Sequence, residues 1–160
     1  MERQSAWVGV TFPAATVAAA LLGGEATKEG LRRDYPRLEK PPLNPPDWVF
    51  APVWTALYAL MTWSALRVWR RRGAEGRTVA LALWGAQLAA NAAWTPLFFA
   101  QRRRGWALVD LAVLVGLIGA YVAASAKVDR TASRLMLPYL GWTAFAGYLN
   151  AEVFRRNRGR

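Results

Sequence analysis

Lys-Pro-Pro-Leu-Asn-Pro-Pro-Asp-Trp-Val-Phe-Ala-Pro-Val-Trp-Thr-Ala-Leu-Tyr, residues 40–58, joins a proline-stiffened connection to an apolar run rich in aromatics. Proline fixes φ and pushes its predecessor toward extended backbone, so this half of the connection is stiff. From Trp48 onward no charged residue appears until Arg67. A helix rises about 1.5 Å per residue, so roughly 20 residues cross a hydrocarbon core of about 30 Å. The segment therefore predicts a structured loop feeding a transmembrane helix.

Working outward, four further apolar stretches flank this one. The pattern predicts an all-α integral membrane protein: a bundle of five transmembrane helices near residues 7–24, 48–69, 78–101, 105–126 and 133–154. With 160 residues, it is read as one domain, 1–160. The first stretch, preceded by Arg3, is long enough to stay in the membrane and lacks the polar end of a signal peptide. Short links favour antiparallel neighbours. Only the connection from Glu25 to Asp47 is long, and long structured loops often serve as covers.

The formal charge is +11, from 21 Lys and Arg against 10 Asp and Glu. The arginines sit at segment ends, as in Arg70-Arg71-Arg72, Arg102-Arg103-Arg104 and Arg155-Arg156. That placement suits anionic headgroups and argues against nucleic acid as partner. Counted by side, the odd connections and the C-terminal tail carry twelve Lys and Arg, the other side nine. Positive-inside logic thus places the C-terminus inside and the N-terminus outside.

The chain has no Cys and no His. This removes disulfides, thiol chemistry, zinc sites with those ligands and haem iron held by them, and no metal site is expected. Trp7, Trp48, Trp63, Trp69 and Trp106 fall near segment ends, where an interfacial belt explains them. Trp54, Trp84, Trp94 and Trp142 fall deeper.

At about 100° per residue, Trp84, Gln87, Asn91, Trp94 and Thr95 share one face of the third segment. Buried amides either bond neighbouring helices or line a cavity. The opposite face holds Ala82, Gly85, Ala86, Ala89 and Ala93, small enough for close packing on a second copy. The second segment aligns Phe50, Trp54, Tyr58 and Met61. The fifth aligns Tyr139, Trp142, Ala146 and Leu149, with Asn150 at the edge, and Pro138 interrupts its ladder. Three such stripes favour a flat hydrophobic ligand with a few polar atoms. Asp110, the one ionisable residue inside a span, is assigned a structural pairing with the arginines at 102–104.

Residues 40–58, QLAANAAWTPLFF at 87–99, GWALVDL at 105–111 and PYLGWTAFAGYLNAEVFRRN at 138–157 resemble, in order and spacing, the TspO/translocator protein family. The resemblance implies a five-helix bundle, usually dimeric, that binds porphyrins, sterols and isoquinoline-type ligands under the first loop. It implies pocket tryptophans at Trp54 and Trp142, pocket amides at Gln87 and Asn91, and a small tuning position at Ala146. A sterol-associated segment corresponds to Leu149 through Arg155. Leu43 stands where an aromatic is usual and Ala151 where a tyrosine is usual, and the spacing from Tyr148 to Arg155 is too wide for the sterol pattern.

The expected site is therefore Trp54, Tyr58, Gln87, Asn91, Trp142, Ala146 and Leu149 around a porphyrin such as protoporphyrin IX or haem, with no required cofactor. Lys28, Arg32, Arg33 and Lys40 are candidates for its propionates. Three functions stand open: a tetrapyrrole receptor or carrier; a light- and oxygen-dependent porphyrin-degrading enzyme whose catalytic groups are Trp54 and Trp142; and a regulatory membrane dimer.

Overall fold

The computed structural model describes residues 10–21, 39, 41–95, 97 and 104–157. Among them every regular element is helical: α1 (Val10–Leu21), α2 (Asp47–Arg70), α3 (Arg77–Thr95), α4 (Arg104–Val128), α5 (Arg130–Leu135) and α6 (Leu137–Arg156). Residues 7–9 and 22–24 of the first expected span, and 96 and 98–101 of the third, lie outside the described residues, as does most of the long connection.

α2 starts where the proline run ends. Pro46 is extended, and Asp47 places a carboxylate in the first turn, where the helix dipole favours it. Pro52 in the second turn removes only one ladder bond. α2 and α3 are joined by a tight reversal in which Gly73 and Gly76 both take φ of 79°, a conformation glycine adopts without steric cost. Arg77 closes this corner by stacking its guanidinium 4.2 Å from the Trp69 ring and donating to the Trp69 carbonyl. Trp69 is therefore a packing residue, not the interfacial anchor its place near a segment end suggested.

The fifth expected span is mostly α6, preceded by a short helix, α5, that lies largely in the expected connection before it. Pro138 has no N–H to offer the Arg134 carbonyl, and the chain breaks two residues earlier, at Met136. α5 is started by Asp129, whose carboxylate accepts from the Ala132 N–H at 2.9 Å. The same carboxylate accepts from Arg67 Nε and Nη2 (3.1 and 3.0 Å) and from Arg71 Nε (3.0 Å). Burial alone would raise its pKa. The hydrogen bonds from Arg67, Ala132 and Arg71 outweigh that and hold the carboxyl well below the usual carboxylate range.

Beside it, Ser64 Oγ donates to the Ala132 carbonyl at 2.7 Å. Its one hydrogen is thereby used, so the 2.7 Å contact with Tyr121 has the tyrosine hydroxyl donating. This cluster locks the ends of α2, α4 and α5 together.

α4 is the central rod, packed against α3, α5 and α6, while α2 lies against α3 and α5. α1 joins through Phe12, edge-on to Trp69 and Trp84 at 5.8 and 5.1 Å, and through a Thr62–Thr16 hydroxyl bond of 3.0 Å. Met61, Ala65, Val68, Ile118, Tyr121, Met136 and Tyr139 form the fully buried centre. Large apolar side chains also face outward, among them Trp48, Trp63, Val79, Trp106, Val109 and Val113. Two helices, α2 and residues 105–128 of α4, are long and apolar enough to cross a membrane.

Candidate functional site

α2, α3, α4 and α6 converge on a cavity of about 10 Å³ lined by Trp54, Asn91, Trp94, Leu111, Leu114, Thr143 and Ala146. That is room for roughly one water, whereas sites for drug-sized ligands run to about 300–1,000 Å³. The helices are closed on one another, leaving no room for a ligand of that size between them.

The indole of Trp54 forms the α2 wall. It lies 5.5 Å from the Tyr58 ring and meets the Tyr139 ring edge-on at 6.2 Å. Asn91 is bound on both sides of its amide: Tyr58 donates to Oδ1 at 2.9 Å, and Nδ2 donates to the Tyr139 hydroxyl at 3.0 Å. A carboxamide with two tyrosine partners is a fixed strut between α2, α3 and α6 more than a free ligand contact. Thr143 Oγ1 turns back to the Tyr139 carbonyl at 2.8 Å.

Of the expected site residues, Trp54, Asn91 and Ala146 line the cavity and Tyr58 is hydrogen-bonded to its edge. Trp142, next to Thr143 on α6, is not among the lining residues; its ring stands between Phe50 at 6.0 Å and Phe145 at 5.9 Å. Trp94 takes the second indole position in the cavity wall. Trp84 is core, its indole N–H donating to the Met61 carbonyl at 3.1 Å. Leu149 and Asn150 are buried on α6, and Gln87 is buried on α3.

Those two amides differ from Asn91. Gln87 is fully buried and Asn150 is 3% exposed, and neither side chain has a hydrogen-bond partner at its nitrogen or its oxygen. Asp110 Oδ2 is likewise buried without a partner. Its proposed arginine partners at 102–104 have side chains outside the described residues. So do Lys28, Arg32, Arg33 and Lys40. No group of His, Cys, Asp or Glu suited to a metal occurs among the described residues.

Sequence reasoning missed two elements. Tyr139 was placed on the right stripe without its role as the acceptor for Asn91. Asn157, 4% exposed at the end of α6, was not singled out. Its Oδ1 accepts from the Glu39 N–H and its Nδ2 donates to the Glu39 carbonyl, both at 3.2 Å. Nδ2 also reaches the Val153 carbonyl at 2.8 Å. An asparagine directly after Arg155-Arg156 is an ordinary helix-terminus signal, and its reach to the loop has no local signature.

The predicted dimer residues Ala82, Gly85, Ala86, Ala89 and Ala93 are all exposed along α3. A Cβ added to Gly85 meets nothing within 4 Å.

An apolar helical bundle with an aromatic-walled centre and large apolar side chains facing outward defines the class as a helical protein suited to lipid surroundings. The sequence pattern of the TspO/MBR family matches residues 10–156, and the chain belongs to that family, whose proteins are membrane proteins. It is 40% identical over 157 residues to a translocator protein of Bos taurus, covering 96% of this chain and 93% of that one. To the translocator protein of Homo sapiens it is 46% identical over 133 residues, covering 82% and 78%. To a tryptophan-rich sensory protein of Cereibacter sphaeroides it is 41% identical over 144 residues, covering 88% and 89%.

Proposed function

We propose that this chain is an integral membrane receptor or carrier for porphyrins, spanning the bilayer five times and taking the ligand between α2, α3, α4 and α6. The observation that carries the reading is Gln87: a fully buried amide with no protein partner, one turn from Asn91 on the cavity side of α3. An unsatisfied buried amide costs roughly 1–3 kcal/mol, and a ligand's polar atoms inside a parted bundle would recover it. Trp54 and Trp94 supply flat apolar walls for the macrocycle. The exposed small-residue face of α3 fits a second copy, so the working unit is a homodimer with one such site per chain.

Titration of the detergent-solubilised protein with protoporphyrin IX, read by tryptophan fluorescence, tests this. Saturable quenching is expected, with affinity lowered about tenfold in Trp54→Phe, an effect near the lower end for losing one large aromatic contact. Equal affinity in Trp54→Phe, Trp94→Phe and Trp142→Phe proteins would place the porphyrin elsewhere.

A second reading is supported by the row of oxidisable rings at Trp54, Tyr58 and Tyr139, each within 6.2 Å of Trp54. In it, the bound pigment is excited by light, oxygen is the oxidant, and these rings relay the electron hole. Illumination under oxygen followed by chromatography for a linear tetrapyrrole separates it from binding alone.

A further inference from the structure

Asp110 is a charged group that the aromatic cavity does not account for. Two contacts fix how α4 lies along α6. Leu111 and Ala146 line the same cavity, and a Cβ on Gly105 would sit 3.8 Å from the Phe154 ring. The two helices run antiparallel, so this register sets Asp110 beside residues 147–149 of α6. Asn150 is on the cavity side there, because Thr143, Ala146 and Asn150 follow the three-and-four spacing of one helix face. Asp110 Oδ2 is itself buried, so this oxygen is directed into the protein interior.

At this level, one turn beyond the cavity toward the end of α6 that carries Asn157, three buried polar atoms lack partners: Asp110 Oδ2, Asn150 Oδ1 and Asn150 Nδ2. Two of the three only accept. A carboxylate oxygen beside a carboxamide oxygen is a receptor for a hydrogen-bond donor, best a charged one. Carboxylate groups of a ligand would be repelled from it.

We propose that Asp110 and Asn150 form a subsite at the mouth of the cavity that binds a protonated amine or comparable cationic nitrogen on the ligand. This rests on the reading of the cavity as a porphyrin pocket and adds a direction to it. The ligand's acidic substituents point away from the α4–α6 seam, and a basic one would lie against it.

The test compares two probes that share the protoporphyrin IX ring: its dimethyl ester, and its bis(2-aminoethyl) amide with two ammonium groups. Both are titrated against the full chain in a neutral maltoside detergent, with tryptophan quenching as the readout. The diamine should bind about tenfold more tightly than the ester, as a charge-assisted hydrogen bond warrants. In Asp110→Asn the two probes should come within about twofold of each other. Asn150→Ser, which keeps a small polar side chain, should reduce the preference partially and guards against a folding defect in the first variant. A preference that persists in Asp110→Asn, or its absence in the unaltered chain while the ester still binds, overturns the subsite alone. Failure of both probes to quench overturns the pocket reading, and the subsite with it.

Discussion

Asn157 and Glu39, 118 positions apart, are joined like paired strands: the asparagine amide accepts the Glu39 N–H and donates to the Glu39 carbonyl, each at 3.2 Å. A single side chain thus satisfies both backbone groups of a loop residue and ties the long connection to the end of α6. Asn157→Ala should raise hydrogen exchange at the Glu39 amide by about tenfold or more, since one protecting hydrogen bond is worth roughly 0.5–1.5 kcal/mol and the loop is freed with it. Global stability should change little. Exchange unchanged at Glu39 would mean that the tether does not form in solution.

Asp129 makes the fold sensitive to acid. Its folded-state carboxyl lies below the ordinary 3.8, so its stabilisation is complete above about pH 5 and is lost as pH falls below 3.8 toward the folded value. Thermal unfolding in detergent should therefore show a falling midpoint below about pH 4 that Asp129→Asn flattens. At pH 7, Asp129→Ala should cost about 2–4 kcal/mol, below a fully buried pair because Arg67 and Arg71 stay partly solvated.

Gln87 sets stability against binding. Gln87→Leu keeps the volume and removes two unsatisfied atoms, so the empty protein should gain about 1 kcal/mol or more. Protoporphyrin affinity should fall in the same variant. Destabilisation by Leu would show that the amide has partners the closed structure lacks.

The Tyr58–Asn91–Tyr139 bridge should behave as a unit. Tyr139→Phe leaves Asn91 Nδ2 without its acceptor in a buried site and should cost about 1–3 kcal/mol. Tyr58→Phe should cost less, because Tyr58 is only partly buried. The double variant should lose less than the two added together, by an amount measurable in a double-mutant cycle.

The bare face of α3 predicts its own variants. Ala86→Leu and Ala89→Leu should shift the protein from dimer to monomer in light-scattering chromatography, by filling the groove a second backbone would occupy. Ala59→Leu on α2, also exposed, should not.

Much of the bundle was legible because charge segregation and apolar length are local properties of the chain. α2 begins within a residue of the proline boundary, and α4 runs two residues beyond its expected end. The break at Met136 was harder, since Pro138 marks a disturbed ladder but not which side of it the chain turns. Trp54, Asn91 and Ala146, which line the cavity, lie on the faces that helical phase singled out. Phase says which face a side chain takes, not how far it reaches. Thus Trp94 lines the cavity, whereas Trp142 packs between Phe50 and Phe145. Partner choice was the least legible: Asn91 and Gln87 look alike in sequence, yet one is bound twice and the other not at all.

The two halves of the fifth segment have different attachments. α5 is held by Asp129 and Ser64 to α2 and α4, whereas α6 begins afresh after Met136. α6 bears Thr143 and Ala146 at the cavity and Asn157 at the loop. A helix is stiff over that distance, so α6 joins the cavity wall and the Glu39 tether in one rigid element. A displacement of α6 at the cavity would therefore be felt at Glu39.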